Sequence, residues 1–92
     1  MQHSLLSKLI GDYLLQQRRT KGINQNDLAK KLKISPQFLG RIEKGDVMMP
    51  ERLLVKSYKF LDLKFNEIEK IYKRSCASEL HNLQVKLVKS KN

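Results

Sequence analysis

The stretch Gln25–Gly45, QNDLAKKLKISPQFLGRIEKG, decides the fold of this 92-residue chain. In its first half, apolar residues recur at the spacing of one helix face: Leu28, Ala29 and Leu32. In its second half, Leu39 and Ile42 lie on one side of another helix, at about 100° of rotation per residue. The pattern predicts two short helices joined by a tight turn.

Polar residues and glycine mark the ends of both helices. Asn24 precedes the first helix and Asp27 lies three residues later, which approximates a capping box. Ser35 is placed to cap the second helix, and Pro36 occupies its first position, where a missing N–H costs nothing. Gly45 follows the last turn and tolerates the left-handed conformation that closes many helices.

The second helix presents a polar face, formed by Pro36, Gln37, Gly40, Arg41 and Lys44. Gln and Arg can make paired hydrogen bonds to adenine and guanine edges in the major groove of DNA. Gln37 and Arg41 lie one turn apart, so they are predicted to contact successive base pairs, with plain solvated surface as the alternative. Gly40 either lets the helix approach DNA closely or is a neutral surface glycine.

A series of motifs from Arg18 to Pro50 matches one family without a gap. They are Arg18, Gly22-Ile23-Asn24-Gln25, Leu28-Ala29, Ile34-Ser35-Pro36, Leu39, Ile42-Glu43-Lys44-Gly45 and Pro50. This run resembles the lambda-repressor-like helix-turn-helix domains, also called the Xre or Cro/CI family. The resemblance implies that Gln37 and Arg41 read bases and that Gln25 contacts phosphate at a helix N-terminus. It also implies an ion pair between Arg18 and Glu43.

Two further residues of this region are candidates for phosphate contact. Ser35 and Lys44 can bind the DNA backbone and so position the protein without reading sequence. Met48 and Met49 depart from the family pattern, in which the loop at this point is often polar or basic and grips phosphate. Two methionines weaken that contact and could instead pack on a partner, because Met adapts well to interfaces.

The resemblance leaves three classes of function open. The first is a sequence-specific transcriptional regulator, most often a repressor, that binds double-stranded DNA at an inverted repeat as a homodimer. The second is an antitoxin that binds its own operator and holds a toxin as its protein partner. The third is a protein-binding or RNA-binding module that no longer reads DNA, and the side chains of Gln37 and Arg41 argue against it.

The whole chain is expected to be all-α, a compact bundle of about five helices followed by a tail. The first helix is predicted at about 4–20 and is ended by Gly22, the second at about 24–32 and the third at about 35–44. The fourth is predicted to start at Pro50, and the fifth to follow a capping box of Asn66 and Glu69. Residues 1–74 are expected to form the DNA-binding domain, and 75–92 a tail for dimerisation or partner binding. The tail fits a helix through Leu80, Leu83, Leu87 and Val88, or a strand through Leu83, Val85 and Leu87. The alternative to a dimer contact is that the tail folds back on its own core.

Composition supports a polyanionic partner. Nineteen Lys and Arg against nine Asp and Glu give a formal charge of +10, although many basic chains are merely soluble. One cysteine excludes an internal disulfide and suits a reducing compartment. Lys8 and Asp12 interrupt the apolar N-terminus, which is too short for a signal peptide or a membrane span. A cytoplasmic protein is therefore expected.

Catalysis has little support in the sequence. Cys76 and His81 are five residues apart, which is not the i, i+4 spacing that puts two ligands on one helix face. Neither a glycine-rich phosphate loop nor a paired acidic motif is present in the sequence. The chain is therefore expected to be no enzyme and to use no metal and no cofactor.

Overall fold

Helices account for all regular secondary structure in residues 4–76 and 80–91, which the computed structural model describes. They are α1 (Leu5–Thr20), α2 (Gln25–Leu32), α3 (Pro36–Lys44), α4 (Glu51–Phe60), α5 (Phe65–Arg74) and α6 (Leu80–Lys91). The all-α prediction is confirmed. The described residues hold six helices rather than about five, because the tail forms α6 and not a strand. The chain divides into two units, residues 1–49 with α1–α3 and residues 50–92 with α4–α6.

The predicted helix ends are confirmed in α2 and α3. The Asn24 side chain accepts a hydrogen bond from the backbone N–H of Asp27 at 2.8 Å, and Ser35 Oγ accepts one from Phe38 at 3.0 Å. Gly45 caps α3 with a φ of 81°. Lys33 ends α2 in the left-handed conformation at a φ of 60°, although it is not a glycine. The tight turn between the two helices is thus set by left-handed Lys33 at the end of α2 and by the capping bond of Ser35 at the start of α3.

The first unit is built by packing α1 and α2 against α3. Its fully buried side chains are Ile10, Leu14, Leu28, Leu32, Leu39 and Ile42. Gly11 lies where α1 meets α3, and a Cβ added there would be 2.1 Å from the backbone oxygen of Ile42. Only glycine permits so close an approach of the two helices.

In the second unit, α6 packs against α4 and α5. Leu83 and Leu87 lie four residues apart on the inner face of α6 and are 0% exposed. Val85 and Val88 point to the other side and remain 43% and 54% exposed. Leu83 and Leu87 therefore pack within their own unit and are not free for a dimer contact, because helical spacing turns these two inward.

The junction between α4 and α5 differs from the predicted capping box. The helix α4 ends at Phe60, and Asp62 adopts a φ of 55°, which reverses the chain. The next helix then begins at Phe65, so Asn66 already lies inside α5 and does not cap it. Lys64 occupies the cap position without a side-chain hydrogen bond. A cap at Asn66 would have started α5 at Glu67, so the helix begins two residues earlier than predicted.

Two glycine substitutions separate close packing from helix propensity. Gly11→Ala and Gly40→Ala both replace a helical glycine by alanine, and this replacement alone stabilises a helix by about 0.8–1 kcal/mol. An added methyl at Gly40 makes an ordinary contact of 3.4 Å with the Gln25 side chain, so we expect Gly40→Ala to raise the free energy of unfolding. Gly11→Ala forces two backbones apart, and we expect a net loss of about 1–3 kcal/mol. Urea unfolding measures both, and equal effects of the two substitutions would contradict the packing argument.

Candidate nucleic-acid interface

An open depression of about 450 Å³ lies on the surface of the first unit. It is lined by Gln25, Pro36, Gln37, Gly40, Arg41 and Lys44. Six of the seven residues that the sequence singled out for DNA contact therefore meet at one place. Ser35 is not among the lining residues, and its hydroxyl oxygen accepts the capping bond from Phe38.

The rotation of α3 decides which side chains face this depression. Leu39 and Ile42 are 0% exposed and fix one side of the helix in the core. Gln37, Arg41 and Lys44 lie on the exposed side. Because 3.6 residues make one turn, burying the first pair necessarily turns the other three outward. The amphipathic pattern thus produces a rigid polar surface.

A buried ion pair attaches α3 to α1. Arg18 Nε donates to Glu43 Oε2 at 2.6 Å, and Arg18 Nη2 donates to Glu43 Oε1 at 3.2 Å. Arg18 Nη1 also donates to the backbone oxygen of Ile23 at 2.9 Å. The Arg18 side chain is 10% exposed and that of Glu43 is 4% exposed. The planar guanidinium therefore holds α1, α3 and the segment before α2 in one geometry.

Gln25 is attached to the same carboxylate. Its Nε2 donates to Glu43 Oε1 at 2.9 Å, so both oxygens of Glu43 accept hydrogen bonds. The sequence did not predict this bond, since Gln25 and Glu43 are 18 residues apart and lie on different helices. The contact orients the Gln25 side chain at the start of α2, beside the depression that it lines.

Gly40 opens the middle of the depression. The nearest atoms to an added Cβ at this position would be Gln25 Nε2 at 3.4 Å and Gln25 Cδ at 4.0 Å. An alanine would fit there, so packing within the chain does not require glycine. The absence of a side chain leaves the Gln25 amide accessible from the surface of α3.

The loop after α3 contributes differently. Met49 is buried at 2% exposure, so it packs within its own chain and does not offer a surface to a partner. Met48 is 39% exposed, and its sulfur accepts a hydrogen bond from Ser7 Oγ at 3.4 Å. The only charged residue between Gly45 and Glu51 is Asp46, so the loop supplies no cation.

The chemistry of the depression is that of a surface for an anionic, hydrogen-bonding partner. Its charged lining residues, Arg41 and Lys44, are both cationic. Gln25 and Gln37 add amide groups that can donate and accept. Side chains of this kind suit base edges and phosphate oxygens together.

The described part of the chain shows neither a metal-binding cluster nor a helix able to span a membrane. His, Cys, Asp and Glu residues there form no group of three or more that could hold a metal ion. Among the described helices, none combines the length and the apolar character that crossing a membrane requires.

Comparison with known protein families identifies a helix-turn-helix domain. A family model described as helix-turn-helix, HTH_3, matches residues 14–68, which is more than half of the chain. That family is a DNA-binding regulatory domain and not an enzyme family. No curated protein and no solved structure matches the chain significantly.

Removing either partner of the buried ion pair should destabilise the first unit. Arg18→Ala and Glu43→Ala each leave a buried charge uncompensated, and we expect each to lower the free energy of unfolding by about 3 kcal/mol. The double variant should lose less than the sum, with a coupling of about 0.5–3 kcal/mol. Urea unfolding of the four proteins measures this cycle. Strictly additive losses would mean that the two side chains do not interact.

Proposed function

The chain belongs to the Xre/lambda-repressor-like helix-turn-helix family of DNA-binding transcription regulators, and we propose that it is a sequence-specific repressor. In this proposal the protein binds an inverted-repeat operator as a homodimer, and α3 is the recognition helix. Repression then needs only that the bound protein exclude others from the operator. Three arguments support this function: the outward polar face of α3, the side chains around it that can donate hydrogen bonds to phosphate, and the need for a second half-site.

The observation that carries the proposal is the depression at the surface of α3. Arg41 is exposed and can make two parallel hydrogen bonds to the O6 and N7 of a guanine. Gln37, one turn earlier, can do the same with an adenine. Because Leu39 and Ile42 hold the opposite side of α3 in the core, the backbone that carries these two side chains is already in place before DNA binds.

Phosphate contacts are proposed around this reading face. Lys44 is exposed at the C-terminal end of α3, and Ser35 is exposed at its cap. Gln25 is the first residue of α2, where N–H groups without an intrahelical partner and the helix dipole favour an anion. The hydrogen bond to Glu43 pre-orients the Gln25 side chain, so less conformational entropy is lost when it binds.

A homodimer is proposed because one recognition helix covers too few base pairs to find a single site among many competitors. Two-fold symmetry doubles the site and sets its half-sites about 34 Å apart. Val85 and Val88 are the apolar residues of α6 that stay exposed, and we assign them to the dimer contact. In this proposal the tail therefore has two faces, one for its own unit and one for a second copy.

Sedimentation of a V85S/V88S variant tests this contact. We expect it to be monomeric at micromolar concentration, with unchanged helicity, because both side chains lie outside the core. Leu5→Ser is a matched control, since Leu5 is 49% exposed on α1 and outside the tail. A V85S/V88S variant that stays dimeric would place the contact elsewhere.

Two substitutions in α3 separate base reading from backbone binding. Arg41→Ala should weaken binding to the preferred site by about 1–3 kcal/mol and relax preference at one position in each half-site. Lys44→Ala should weaken binding to all sequences alike and reduce the salt slope by about one unit. Titrations on a selected site and on an unrelated duplex measure both effects. If Arg41→Ala leaves affinity and preference unchanged, α3 does not read the major groove.

A further inference from the structure

The solvent side of α4 carries a row of cations, Arg52, Lys56 and Lys59. These residues follow one another at i, i+4 and i+7, which places them on a single helix face, and all three are exposed. The opposite face of α4 is buried, through Leu53, Leu54, Ser57 and Tyr58. The row is therefore held on the surface by the packing behind it, and we call it the α4 cation row.

The α4 cation row differs from other lysines of the second unit in having no carboxylate partner. Three of those lysines form ion pairs: Lys70 with Glu67, Lys73 with Glu69, and Lys86 with Glu51. Within residues 4–76 and 80–91, no ion pair involves Arg52, Lys56 or Lys59. Among the described residues, the positive charge of the row is thus not neutralised by an ion pair.

Within the row, only Lys59 lies where a cation favours the helix, in the last turn of α4. Like charges at i, i+4 and at i, i+3 repel each other and destabilise a helix slightly. Buried leucines, and not these side chains, fix α4 in its unit. A row of cations that pairs with no carboxylate among the described residues suits an anionic partner.

The surroundings of the row favour a nucleic-acid backbone over an acidic protein. Protein interfaces have an apolar, aromatic-rich centre that is depleted of charge, whereas DNA interfaces are polar and strongly positive. Phe60, at 36% exposure, is the exposed large apolar residue of α4 beside the row, and a single such residue does not form an apolar centre. Arg52 and Lys59 are separated by about 10.5 Å along the helix axis, which matches about three phosphate steps of one DNA strand.

We infer that Arg52, Lys56 and Lys59 form a sequence-independent contact surface for the phosphate backbone of duplex DNA. The inference rests on the proposed function, and α4 lies inside the region matched by the helix-turn-helix family. The row adds affinity and salt dependence without adding base preference. It also supplies cations that the loop before α4 lacks.

The test compares two double variants that change the charge equally. K56Q/K59Q removes two lysines of the row, and K70Q/K73Q removes two exposed lysines of α5 that already have carboxylate partners. Binding of each full-length protein to one selected duplex is titrated over a series of salt concentrations. Circular dichroism confirms that both variants remain helical and melt cooperatively.

We expect the salt slope of K56Q/K59Q to be shallower than that of the unchanged protein by about 1.8, because each phosphate contact contributes about 0.9. Adding Arg52→Gln should make the difference about 2.7. The K70Q/K73Q control should keep the original slope, and the base preference of all variants should be the same. Equal slopes for K56Q/K59Q and K70Q/K73Q would overturn the inference.

Two further outcomes separate a failure of the proposed function from a failure of the inference about the row. If the unchanged protein shows no base preference, the proposed function fails, whatever the row does. If K56Q/K59Q keeps its DNA salt slope but loses affinity for poly-glutamate, the row fits an acidic protein and the inference is wrong.

Discussion

The hydrogen-bonded pair of Arg18 and Glu43 is the interaction on which the first unit depends. Its atoms connect α1 to α3 through two parallel bonds, and a third donor of Arg18 reaches the backbone of Ile23. A buried pair of this kind is weak evidence for stability, because desolvation of both charges opposes the Coulomb attraction. Its value lies in geometry, since a planar fork accepts one orientation of α3 relative to α1.

That geometry reaches the surface through Gln25. Glu43 accepts from Arg18 through both oxygens and from Gln25 through Oε1, so a carboxylate in the core sets the position of a side chain at the depression. Gly11 allows α1 to come close enough to α3 for the pair to form, and Leu39 and Ile42 turn Arg41 outward. The packing of the first unit and the polar face of α3 that we propose to read DNA are thus one arrangement.

The helix-turn-helix could be predicted from sequence because its signals are local. Caps such as Ser35 act within three residues, and helical spacing places Leu39 opposite Arg41. The same spacing predicted which residues of α3 would share the depression, whereas Gln25 was predicted from the family resemblance. Long-range features were missed: Gly11 has no local signal that shows a helix crossing over it, and the bond between Gln25 and Glu43 joins separate helices.

In the tail, the periodicity of the apolar residues alone does not distinguish a helix from a strand. Leu83, Val85 and Leu87 satisfy a strand period, while Leu83 and Leu87 also satisfy a helix period. Packing against α4 and α5 selects the helix, which buries Leu83 and Leu87 and leaves Val85 exposed. The left-handed conformation of Lys33 and Asp62 was not predicted for a related reason, since residues other than glycine adopt it only when their surroundings impose it.

The central claim, that α3 presents a reading face to DNA, is tested most directly by selecting bound duplexes from a random pool with the unchanged protein. The account predicts enrichment of one inverted repeat whose half-sites are centred about one helical turn apart, with the strongest preference for guanine and adenine positions that suit Arg41 and Gln37. A pool that shows no enriched sequence after selection would contradict it, because a basic surface without base contacts binds all duplexes alike.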